Sequence, residues 1–116
     1  MERILFVRVR MMVEAQAQKE KTIFREFLRN LFWFLDDNDL THSESVVLIY
    51  VQEPYESLEG FESRGVVKIG GKSYTFTATL NMQFGTIEID SKAFHFYLKL
   101  SQVEEYLRER VGVTFE

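Results

Sequence analysis

Apolar residues recur along this chain with two different periods. Between Ile23 and Leu35 the period is helical. At about 100° per residue, Phe24, Phe27, Leu28, Leu31, Phe34 and Leu35 gather in one arc, widened on its sides by Ile23 and Phe32. Arg25, Glu26, Arg29 and Asn30 fill the remainder. An apolar arc this broad needs a wide partner, and a sheet covers it better than a single helix. Glu14 to Lys21 is rich in helix formers, so the helix is expected to start there or at Thr22, and to stop near Asp36, where the acids of Asp36-Asp37-Asn38-Asp39 oppose a helix C-terminus.

Elsewhere the period is two. From Arg3 to Val13, Leu5, Val7, Val9, Met11 and Val13 alternate with a face bearing Arg8 and Arg10, which predicts a half-buried strand. Val46 to Val51 is apolar on both faces and predicts a central strand covered on both sides. Pro54 stops it, and Tyr55 to Gly60 reads as a loop. Gly65 to Leu100 reads as a meander. Gly70-Gly71 is a hairpin turn, and Tyr74, Phe76, Ala78, Leu80 and Met82 point inward, away from Ser73, Thr75, Thr77 and Thr79. Ile87 and Ile89 face in, with Thr86, Glu88 and Asp90 outward; Phe94, Phe96 and Leu98 face in, opposite His95, Tyr97 and Lys99. Ser101 with Glu104 suggests a capping box for a second helix, Gln102 to Val111, closed by Gly112, and Val113 to Glu116 a short last strand.

Together these elements predict one α+β domain spanning 1–116: a curved antiparallel meander gripping a long N-terminal helix, with a short C-terminal helix. The order β-α-β-β-β-β-β-α resembles the cystatin-like or helix-grip arrangement in topology alone, and such folds host unrelated functions. The 46% hydrophobic content and 28% charge describe a folded chain. A net charge of −4 disfavours a coat for nucleic acid or an anionic membrane. Without cysteine, disulfides, thiolate catalysis and Cys-based metal sites are excluded. The apolar run at residues 4–7 is too short for a secretory core, and no run reaches membrane-spanning length, so a cytoplasmic protein without a membrane segment is expected.

Candidate chemistry is sparse. Gly71-Lys72-Ser73 lacks the first glycine of a P-loop, since position 66 is Val, and Asp37 and Asp39 lack the Gly and Glu of a calcium loop at positions 42 and 48. No cofactor or metal is implied. His42 falls in a polar loop. His95, beside Tyr97 and near Glu88 and Asp90, forms the one candidate acid–base cluster, set against the ordinary reading of a solvated sheet face. Arg8 and Arg10, with scattered lysines, are the candidate nucleic-acid contacts; 18 acids in the chain make that use the less favoured one. Trp33 projects opposite Phe24, with Arg29 one turn earlier and Arg25 beyond it. It serves either as a contact anchor or as second-layer packing under the terminal helix. The threonine row Thr75, Thr77, Thr79 implies an open sheet face.

The sequence therefore favours a small non-enzymatic protein–protein interaction module, an adaptor, inhibitor or immunity-type antagonist that self-associates. One alternative is a small-molecule binder or enzyme whose pocket lies between helix and sheet, lined by Phe27, Phe34, Phe76, Phe94 and Phe96. Another is nucleic-acid binding through the sheet face.

Overall fold

The structure is a computed structural model that describes the backbone of residues 2–115 and side chains from residue 14 to residue 115. Helix α1 runs from Glu2 to Arg29 and α2 from Leu31 to Asp37. The strands are β1 (Val46–Val51), β2 (Tyr55–Glu56), β3 (Gly60–Ile69), β4 (Lys72–Asn81), β5 (Thr86–Ser91) and β6 (His95–Lys99). Helix α3 (Leu100–Tyr106) continues into a π-helical segment, Leu107–Val111. The sheet is open and antiparallel, ordered β1-β3-β4-β5-β6, with β2 pairing β3 beyond the end of β1.

The strand expected over Arg3 to Val13 is helical instead, so the topology is not β-α-β-β-β-β-β-α. No Gly or Pro lies between Glu2 and Arg29, and extending an existing helix is cheap compared with nucleating one. Ile4, Met11, Met12 and Ala15 also satisfy helical spacing, which the period-two reading overlooked. The candidate side chains Arg8 and Arg10 lie outside the described residues.

Asn30 breaks the predicted rod. Its side-chain amide donates to the Glu26 carbonyl at 2.8 Å, and its backbone takes φ −111° and ψ 19°. Competition of this kind from an Asn side chain interrupts the backbone ladder. The two helices still present a continuous apolar arc: Ile23, Phe24, Phe27, Leu28, Leu31, Phe34 and Leu35 are all buried. They pack with α3 (Val103) and Leu107 on one face of the sheet, against Val67, Phe76, Ala78, Leu80, Ile87 and Ile89. The helix-on-sheet core is as predicted.

The Gly70-Gly71 turn joins Ile69 to Lys72, both glycines at positive φ (57° and 87°) as a tight hairpin requires. Strand β3 begins at Gly60, earlier than the Gly65 expected, because β2 within the supposed loop gives it a partner: Tyr55 opposite Glu62 and Glu56 opposite Phe61. Thr86, expected outward, is buried in the ladder between Asn81 and Lys99. The cap of α3 lies two residues before the predicted box: the Gln102 side-chain oxygen accepts from the Lys99 N–H at 3.0 Å. Gly112 ends the π-helical segment at φ 83°, as expected. Residues 113–115 form no strand; Phe115 instead lies beside Ala15, Gln18, Lys19 and Thr22 of α1.

Candidate interaction surface

The buried residues of α1, α2 and α3 pack on one side of the sheet, and among the described residues no helix covers the other face. On it the strands set side chains in cross-strand rows. One row reads Tyr55–Glu62–Thr79–Glu88–Tyr97 and the next Arg64–Thr77–Asp90–His95. Thr75 and Thr77 are exposed and Thr79 half-buried, in keeping with an open hydroxyl-bearing face.

Strand β1 is where expectation and structure part most sharply. It is an edge strand, not a central one, and pairs with β3 alone among the described residues. A bulge lies between Leu48 and Tyr50: Leu48 opposes Val67, Tyr50 opposes Val66, and Ile49 is the extra residue. A bulge sets two consecutive side chains against a single partner and resets the alternation. Val46, Leu48 and Val51 can thus all turn toward the core, while Val47, Ile49 and Tyr50 stand outward at 54%, 53% and 51% exposure. Both faces of VVLIYV are apolar, as the sequence says, but one of them is uncovered.

The structure brings the acid–base candidates together. His95 Nε2 lies 2.9 Å from Glu88 Oε2, His95 opposes Asp90, and Tyr97 opposes Glu88. Both partners of the His–Glu pair are about half exposed, with side-chain accessibilities of 54% and 49%. The cluster stands on a flat, wet surface with no wall to exclude water, and the nearby depression lined by Thr75, Thr77, Asp90 and Lys92 is shallow.

Trp33 lies among residues of the chain's own C-terminal segment. The Arg110 guanidinium covers the indole at 4.4 Å, and the Phe32 ring is tilted against it with centroids 4.9 Å apart. Arg110 Nε and the Tyr106 hydroxyl both donate to Asp37 Oδ2, at 2.8 and 2.7 Å. The Tyr106 hydrogen bond, helped by Arg110, holds the Asp37 carboxyl below its ordinary range. Burial, then the neighbouring Asp37 carboxylate, pushes the Tyr106 phenol above its own. This is a latch tying the C-terminal segment to α2, with the indole 37% exposed at its margin. Arg25 and Arg29 converge on Glu53, at 3.3 and 3.5 Å, and so clamp the end of β1 to α1.

Four of the side chains expected to line a pocket between helix and sheet, Phe27, Phe34, Phe94 and Phe96, pack against one another. Phe27 meets Phe34, Phe96 and Tyr106 edge-on with centroids 5.2, 6.3 and 6.4 Å apart, and Phe94 stacks on Phe96 at 5.9 Å. Among the described residues no helix is long and apolar enough to cross a membrane, and no cluster of His, Asp and Glu is placed to hold a metal ion.

Sequence reading missed Val47, Ile49 and Tyr50 as surface groups, as well as Leu58 and Phe84, which are 107% and 68% exposed at hairpin tips. The last two had a legible signal: each is a large apolar residue inside a polar turn, SLEG and NMQFG. Comparison of the chain with protein-family models, curated proteins and solved structures gives no match.

Proposed function

We propose that this protein is a non-enzymatic interaction module that self-associates through the outer face of its sheet at the β1 edge. The carrying observation is the bulged strand: Val47, Ile49 and Tyr50 are uncovered, with Tyr50 opposite Val66 and Val47 opposite Lys68. Edge strands are normally blunted with charge or proline. Val46 to Val51 contains neither, and the bulge is the one such device in it. Bulk apolar groups on an edge strand gain most from burial against a second apolar surface, at about 25 cal/mol per Å² removed from water. A second copy presents that same surface, which is the self-complementarity a twofold interface needs.

This reading moves the working surface away from Trp33, Arg25 and Arg29, which the protein's own residues already engage, and keeps it on the face that carries Thr75, Thr77 and Thr79. Light scattering coupled to size exclusion tests it. The parent chain is expected at the mass of two copies, and Ile49→Lys at the mass of one, with an unchanged circular dichroism spectrum. A parent chain of single-copy mass at every concentration refutes it.

A further inference from the structure

The outer face has a second end, away from the β1 patch, with different chemistry. There the row Tyr55–Glu62–Thr79–Glu88–Tyr97 is arranged symmetrically about a threonine: a carboxylate on each side, then a tyrosine. Tyr55 and Tyr97 are 38% and 59% exposed. The Tyr55 hydroxyl binds Glu62 Oε2 at 3.2 Å, and His95 lies against Glu88 Oε2, so each carboxylate is steadied through one oxygen and keeps Oε1 for another donor. Just beyond the row stand two neighbouring hairpin tips. The Met82 N–H donates to the Glu59 carbonyl, joining the turn that carries Leu58 to the one that carries Phe84.

Charge selects the occupant. Residues 53–62 contain Glu53, Glu56, Glu59 and Glu62 and no basic residue. Glu53 is spent on Arg25 and Arg29, while Glu56 and Glu59 have no ion-pair partner among the described residues. Arg64 in the adjoining row and Lys99 at the β6 margin are the flanking cations. Carboxylates between exposed aromatic rings suit a guanidinium or ammonium group, through charge-assisted hydrogen bonds and contact with the ring faces. Bare Leu58 and Phe84 suit apolar side chains.

We propose that this end of the sheet binds a cationic protein segment in which arginine or lysine alternates with apolar residues. Five strands at a spacing of about 4.8 Å make the row roughly 19 Å wide, which about six residues of extended chain would cross. The proposal extends the interaction-module reading, on which it rests, to a second surface and a second partner.

Fluorescence anisotropy with labelled peptides tests it. The probes are a peptide of alternating arginine and leucine, about six to eight residues long, and its glutamate–leucine counterpart. The arginine peptide is expected to bind, and to bind more weakly as salt rises. The double change Glu62→Gln with Glu88→Gln is expected to weaken it about tenfold, the sum of two exposed charge contacts. Leu58→Ser with Phe84→Ser is expected to weaken it by a similar factor of about ten through lost anchoring. Unchanged circular dichroism in both variants secures the comparison. Equal binding of the glutamate peptide, or indifference to the Glu62→Gln/Glu88→Gln pair, overturns the proposal, as does a preference for vesicles of anionic lipid over the peptide. Ile49→Lys separates the two surfaces: it is expected to abolish self-association and leave peptide binding intact.

Discussion

The bulge in β1 depends on an empty space in β3, and filling that space is the sharpest test of how the outer patch is built. Gly65 lies between Val51 of β1 and Phe76 of β4. Its backbone is not in the left-handed region, so conformational freedom is not what requires glycine there. Space is. A Cβ at this position would press on Cζ of Phe76 and sit 2.6 Å from both Cε1 of that ring and the Tyr50 carbonyl oxygen. Phe76 is 1% exposed and cannot swing out, and the other obstacle is backbone. Overpacking of this kind typically costs about 1–3 kcal/mol, offset by about 0.4–1 kcal/mol from the stiffer unfolded chain. The expected net loss for Gly65→Ala is about 1–2 kcal/mol, or roughly 4–8 °C in Tm for a chain of this length.

The assay is urea unfolding followed by circular dichroism, at several protein concentrations so that association is separated from folding. A double-mutant cycle with Phe76→Leu then isolates the cause. If the ring is the obstacle, shortening it makes room for the new methyl, and the pair is expected to be less destabilised than the sum of the singles by about 1 kcal/mol. Because the Tyr50 carbonyl is pressed as well, Gly65→Ala is also expected to displace the bulge and weaken self-association. A neutral Gly65→Ala, or strict additivity with Phe76→Leu, refutes the close approach and with it this account of why Ile49 and Tyr50 both face outward.

Three further outcomes follow from the core and the latch. Phe27→Ala removes the ring on which Phe34, Phe96 and Tyr106 converge, and is expected to cost about 3–5 kcal/mol by urea unfolding; a loss below about 1 kcal/mol would mean that the junction is not packed as described. For the latch the signs differ at the two ends of the pH scale. The Asp37 pKa is lowered, so its contribution is complete above the ordinary value of 3.8 and is lost as pH falls through the lower folded value. The Tyr106 pKa is raised, so its contribution is complete below 10.0 and is lost as pH rises toward the higher folded value. Thermal melts are expected to lose stability at both extremes; Asp37→Asn is expected to remove the Asp37 contribution to the acid limb and only to reduce the alkaline limb, because burial of Tyr106 remains. Arg110→Gln is expected to uncover the Trp33 indole and shift its emission to the red, and an unmoved spectrum would argue that the stacked guanidinium is absent in solution.

How much of this was legible in the sequence depended on whether a feature was local. The buried arc from Ile23 to Leu35, the Gly70-Gly71 hairpin, the inward set Phe76, Ala78 and Leu80 and the outward set Thr75 and Thr77 follow from one residue's spacing to the next, and each is present. The proximity of His95 to Glu88 also followed, because adjacent antiparallel strands joined by a tight turn leave little choice of register. What failed needed information from outside the segment. Residues 3–13 satisfy both periods, and the deciding fact is an unbroken helix further along the chain. The Asp37–Tyr106–Arg110 latch joins residues 69 and 73 positions apart, a separation no local pattern encodes.

Val46 to Val51 is the most instructive of these, because its composition was read correctly and its place was not. An apolar residue at every position says that both faces of the strand avoid water; it does not say that the same chain must cover both. Strand order assigns β1 to the rim, and the bulge divides its side chains cleanly, Val46, Leu48 and Val51 to the core and Val47, Ile49 and Tyr50 to the outside. Had the alternation run without the bulge, Val51 would have faced outward and Tyr50 inward, close to the space now taken by Phe76 against Gly65. The extra residue therefore serves the core first, and the uncovered row follows from it. A strand made hydrophobic on both faces and left half bare is a demand for a second surface, and that demand is what makes self-association at this edge the economical reading of the chain.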